Sequence, residues 1–155
     1  MHPTGVNFCV IKMVDEKPYI LLQQRDEKSP TNKLKWCIPG GGKDQFDEPF
    51  IETAVRELKE EYAIEVSLEN MHKVCEKQPN TDGEAHGEVF ATFVDEDVEI
   101  VMGEGKSYGW YAVDELSDLD LGFGHGELIP KLQEFLEIYF KNKEPNSEIK
   151  PFKIS

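Results

Sequence analysis

Residues 42–64 read GKDQFDEPFIETAVRELKEEYAI. Gly42 is followed after five residues by Glu48, and after seven more by the run Arg56-Glu57-Leu58-Lys59-Glu60-Glu61. Pro49 suits the first turn of a helix, where a missing N–H costs nothing. Along that helix Ile51, Ala54, Val55, Leu58 and Tyr62 recur at i, i+3, i+4, i+7 and i+11, a stripe that faces a core. Glu57, Glu60 and Glu61 stand at i, i+3 and i+4, so their carboxylates crowd a different side of the same helix. Like charges placed this way destabilise a helix by about 0.2–0.5 kcal/mol per pair. A hard divalent cation, which demands oxygen ligands, would offset that repulsion.

Just upstream, Pro39 leads into Gly40-Gly41-Gly42, and glycine lets a backbone pass close to a ligand. Trp36-Cys37-Ile38 reads as a short strand running into that turn. Residues 26–35 form a polar loop containing Ser29-Pro30. Two apolar-rich runs, 6–14 and 19–24, flank Asp15-Glu16-Lys17-Pro18 as a hairpin. Downstream, residues 71–77, 88–94 and 108–113 are strand candidates. Residues 128–140 read as an amphipathic helix, with Leu128, Ile129, Leu132, Phe135, Leu136 and Tyr139 on one side. Strands, one helix, more strands and a final helix describe an α+β chain, a mixed β-sheet between α-helices. One domain is expected over residues 1–141, with a loose polar tail at 142–155.

The chain has 155 residues, 39% apolar and 31% charged, enough for one domain with a real core. No run of about 18 apolar residues is present, so no membrane span is expected. The N-terminus lacks a charged leader followed by a small-residue cleavage site, which argues against secretion. Cys9, Cys37 and Cys75 sit in strand-like stretches and read as small buried hydrophobes of a reducing cytoplasm. The formal net charge of -14 repels nucleic acid and anionic lipid at long range, so neither is expected as a partner. An anionic nucleotide would be repelled too, unless metal ions reverse the field locally.

The arrangement of a glycine, five residues, Glu, seven residues, then Arg-Glu-apolar-x-Glu-Glu-x-Gly-apolar is that of the Nudix box, and the chain resembles the Nudix hydrolases, relatives of MutT. Gly42, Glu48, Arg56, Glu57, Glu60 and Glu61 match it. The late glycine is replaced by Ala63, which puts the helix end in question, because a left-handed residue there costs a non-glycine about 1 kcal/mol. The resemblance covers roughly residues 5–140. It implies the α/β/α Nudix fold and hydrolysis of a nucleoside diphosphate linked to another moiety.

By resemblance, Glu57, Glu60 and Glu61 hold Mg²⁺ or Mn²⁺, helped by a backbone carbonyl at Gly41. Gly40 and Gly41 bring backbone close to metal and phosphate. Arg56 orients the loop and its carboxylates, and Glu48 acts as a cap and loop anchor. Glu104, in Gly103-Glu104-Gly105, is a candidate further metal ligand or water-activating base, and competes with Glu57 for the latter role. The four histidines lack zinc-ligand spacing. His125 falls where some family members place a base-reading Asn, and a surface-turn histidine is the competing reading. Trp110, Tyr111 and Phe123 could stack on a base, although core packing suits at least two of them. For substrate, a MutT-like preference for nucleoside triphosphates leads, and Pro79 is a faint pointer to ADP-ribose or nucleotide sugars. A catalytically silent nucleotide-binding module and an RNA 5'-end hydrolase are the rivals, and the oligomeric state, monomer or homodimer, stays open.

Overall fold

The computed structural model describes residues 5–25, 28, 33–43, 45, 48–77, 87–102 and 107–143. Strand β1 (Gly5–Val14) turns into β2 (Lys17–Gln24) through Asp15 and Glu16, which both take positive φ, as a two-residue hairpin requires. Short strands β3 (Trp36–Cys37) and β4 (Gly40–Gly42) precede helix α1 (Phe50–Tyr62). Then come β5 (His72–Lys77), β6 (Gly87–Val94) and β7 (Ser107–Ala112). The 3-10 segments Val113–Asp118 and Gly122–Leu128 lead into helix α2 (Ile129–Lys143).

All seven strands join one mixed sheet, with β1 at its centre. On one edge β1 runs parallel to β6 from Gly5↔Gly87 to Lys12↔Val94. Its other edge pairs antiparallel with β2 through residues 11–14 and with β4 through residues 5–7. Both β3 and β7 pair with β2, so the chain between β3 and β4 crosses from β2 to β1 at Ile38-Pro39.

Alternation along β1 sends its side chains to two cores. Val6, Phe8 and Val10 pack with Ala54, Leu58 and Tyr62 of α1. Cys9 and Ile11 pack with Ile129, Leu132 and Leu136 of α2. The sheet therefore lies between helices, as its apolar patterning requires, and burial of a side chain such as Leu58 contributes about 2–3 kcal/mol. Thr53 is buried on α1 as well.

Two elements differ from the sequence reading. Gly40–Gly42, read as a turn, is a strand, because β1 supplies the pairing that three glycines cannot announce by propensity. The last helix extends to Lys143, past the expected start of the tail, and the residues beyond it lie outside the described set. Cys9 and Cys37 are buried in the sheet, and burial beside Cys75 pushes the Cys9 thiol up to about 12. Among the described residues no helix is long and apolar enough to cross a membrane.

Candidate active site

The site forms where β4 passes over the first turns of α1. A Cβ on Gly41 would fall 2.3 Å from the Glu57 carboxyl carbon and 2.4 Å from its Oε1. A side chain at position 41 would displace this carboxylate, so the glycine keeps the loop backbone against it. One step along, the Gly42 carbonyl accepts a hydrogen bond of 2.8 Å from Arg56 Nη2.

Arg56 ties this corner together. Its Nε and Nη2 donate to the two oxygens of Glu48, each at 2.9 Å, in the bidentate fork that suits a carboxylate. Its Nη1 donates to Glu57 Oε2 and to Glu60 Oε1, both at 3.1 Å. With Gly42, those contacts engage all five guanidinium N–H donors. Thr53 Oγ donates to Glu48 Oε1 at 2.9 Å. Glu48 is thus the expected loop anchor; the residue before α1 is Pro49, in extended conformation and without a side-chain cap.

Burial separates the acids. The Glu57 side chain is 14% exposed and that of Glu60 55% exposed, while Glu61 is half-buried. Burial first, and the charges of Glu60 and Glu61 after it, hold the Glu57 carboxyl above the ordinary carboxylate range, although Arg56 pulls the other way. Three carboxylates, those of Glu48, Glu57 and Glu60, share the one guanidinium of Arg56.

Among the described residues, no three His, Cys, Asp or Glu side chains converge as a ready-made metal cage. Mg²⁺ seldom needs one, since it keeps waters and takes substrate oxygens beside one or two carboxylates. The hard oxygen donors and the glycine cradle against Glu57 fit such an ion. The far end of α1 is held by Tyr62, whose hydroxyl donates to Gln23 Oε1 of β2 and whose ionisation burial pushes well up.

The other expected site residues fall elsewhere. His125 is no surface-turn residue: it is 1% exposed, and its Nδ1 accepts the Ile38 N–H at 3.0 Å. Phe123 and Gly124 before it both have positive φ, which folds the segment inward and carries the ring into the core. Gly40 faces Asn7, away from Glu57. Trp110 lies under Lys12, and Tyr111 packs edge-on against Trp36, so both serve packing; Phe123 stacks with Arg25. Glu104 and Pro79 lie outside the described residues. The buried pair Asn7 and Lys77, beside the glycine turn, was not singled out from the sequence. A polar Asn7 within the apolar first half of β1 was the available signal.

With this geometry in place, comparison with known proteins is direct. The profile of the NUDIX domain matches residues 3–132. The chain belongs to the Nudix family of pyrophosphohydrolases. The NUDIX domain of Shewanella oneidensis NrtR, solved with ADP-ribose, is 20% identical, with a TM-score of 0.71 over 88% of this chain and 89% of that one. A MutT/nudix family protein from Enterococcus faecalis is 19% identical, with a TM-score of 0.73 over 99% of this chain and 68% of that one. The Ap4A hydrolase of C. elegans is 18% identical, with a TM-score of 0.67 over 87% and 98%. No curated protein matches the chain by sequence.

Proposed function

We propose that this chain is a Mg²⁺- or Mn²⁺-dependent hydrolase that cleaves the diphosphate linkage of a nucleotide, with a nucleoside triphosphate as the leading substrate class. The contact of the Gly41 backbone with the Glu57 carboxylate, set in place by Arg56, carries this reading. The Gly41 carbonyl with Glu57, Glu60 and Glu61 would hold the metal, which when bound supplies charge neutralisation of the diphosphate and an acidified water. Arg56 fixes Glu57, Glu60 and the Gly42 carbonyl in one frame, so these oxygens pay little ordering entropy on binding. Glu57 and Glu104 are the competing candidates for the base that takes the water's proton, and Glu104 is a further candidate ligand. The acidic surface and the buried thiols fit a small-molecule substrate and a reducing cytoplasm.

A second reading, an ADP-ribose or nucleotide-sugar pyrophosphatase, is favoured by the likeness to the NrtR domain that binds ADP-ribose. A hydrolysis panel with Mg²⁺ and Mn²⁺ separates the two. It covers nucleoside triphosphates, ADP-ribose, nucleotide sugars and dinucleoside polyphosphates. Release of a monophosphate and pyrophosphate from a triphosphate supports the first reading, and turnover of ADP-ribose alone supports the second. Glu60→Gln is expected to keep its melting temperature and lose at least about 90% of turnover, since its exposed carboxylate contributes at most about 1 kcal/mol to stability. Unchanged turnover in that variant overturns the metal site. Silence across the panel with Mn²⁺ still bound selects the nucleotide-binding module.

A further inference from the structure

We propose that Lys77 is a positioning residue for the glycine loop, acting through Asn7; this rests on the metal-site reading above. Lys77, the last residue of β5, is 9% exposed, and its ammonium donates to Asn7 Oδ1. Asn7, at 3% exposure, donates through Nδ2 to the carbonyls of Ile38 at 3.0 Å and Pro39 at 3.4 Å. Those carbonyls belong to the crossing between β3 and β4, immediately before Gly40.

The path of the lysine follows from register. Lys77 pairs with Gly87, Gly87 with Gly5, and Gly5 with Gly42. Three glycines fill that row, so no side chain stands between Lys77 and the next row on the same face, where Asn7 lies between Val89 and Gly40. A Cβ on Gly40 would come within 2.7 Å of Asn7 Nδ2, which places that amide directly under the loop.

An ammonium can only donate, so Lys77 compels the Asn7 oxygen to face it and turns the amide NH₂ toward the two carbonyls. Without Lys77 the amide is free to flip and set its oxygen against those carbonyl oxygens. The Phe8 N–H also donates to the Pro39 carbonyl at 2.9 Å, and His125 accepts from the Ile38 N–H. The crossing is thereby gripped from β1, from β5 through Asn7, and from the segment before α2. What it delivers is Gly41 against Glu57 and the Gly42 carbonyl to Arg56. An apolar residue at position 77 would satisfy burial at lower cost, but it would not orient Asn7.

The test compares Lys77→Met, Lys77→Arg and Asn7→Asp with the wild-type chain by two readouts. The first is amide hydrogen exchange of Gly40–Gly42 in metal-free protein, and the second is Mn²⁺ affinity by electron paramagnetic resonance. Lys77→Met is expected to speed exchange in this strand about tenfold and to weaken Mn²⁺ binding about tenfold, with Lys77→Arg recovering most of both. Asn7→Asp keeps an oxygen for Lys77 but loses the donor to Ile38 and Pro39, so it should match Lys77→Met on both readouts. Should Lys77→Met fail to fold, Asn7→Asp decides. Wild-type exchange and Mn²⁺ affinity in a folded Lys77→Met or Asn7→Asp overturn the proposal. A wild-type chain that takes up no Mn²⁺ overturns instead the metal-site reading, and with it the role assigned to Lys77, even where exchange shows the grip itself.

Discussion

Burial, with Glu60 and Glu61 beside it, raises the Glu57 carboxyl, and Arg56 only partly reverses this. A carboxyl raised in the folded chain binds more protons there than in the unfolded one. Its contribution is therefore most favourable below the ordinary carboxylate range and is lost as pH rises through its folded value. Metal-free protein at neutral pH carries that penalty, and a bound cation relieves it. Mg²⁺ at 100 times its dissociation constant should stabilise the wild type by about 2.7 kcal/mol at pH 7, and by less at pH 4.5. Glu57→Gln should melt no lower than metal-free wild type at pH 7 and gain nothing from Mg²⁺; thermal melts in EDTA and in Mg²⁺ check both. The carboxylates and Arg56 were legible in the sequence because they lie within one helix or just before it, at spacings that helix geometry interprets. Lys77 and Asn7 were not, because 70 positions separate them and a lysine on a strand normally signals solvent.

Helix α1 ends as the family pattern demands, although the residue there is wrong for it. Ala63 takes φ 58° and ψ 33°, the left-handed conformation, with its N–H donating to the Lys59 carbonyl at 2.9 Å. The fold imposes this turn: Ile64, the next residue, is buried, and Tyr62 is tied to Gln23. Ala63→Gly should remove the strain and raise stability by about 0.5–1 kcal/mol, readable in a urea melt. Apolar periodicity gave both long helices and the five longer strands to within a few residues. It was silent about β4, whose glycines carry no pattern, and about the 3-10 turns before α2. Those turns depend on positive φ at Phe123, a residue type that rarely adopts it. The misplacement of His125 follows from that, since Gly-His-Gly reads as an exposed turn until the backbone reversal is seen.

A net charge of -14 surrounds a site that must admit a polyanion. Ionic strength should therefore help this enzyme. Between about 20 and 200 mM KCl, at saturating Mg²⁺, kcat/KM should rise about twofold or more as the repulsion is screened. A fall with salt, measured by initial rates, would show that basic residues near the site, rather than the net charge, govern substrate approach. The sequence carried the charge and the fold class plainly, but not the sheet order, which pairs distant segments. That order has a cost during synthesis. Strand β1 borders β2, β4 and β6, and its parallel partner β6 begins at Gly87. The hairpin with β2 can close within microseconds of emerging. The other edge of β1 stays unpaired until β6 follows, a wait of roughly 4–16 s at 5–20 residues per second. Its residues Val6, Phe8, Cys9, Val10 and Ile11 are all buried at the end, so they are adhesive at the start. The strand that shapes the glycine loop is thus also one whose edge a nascent chain must shield for seconds.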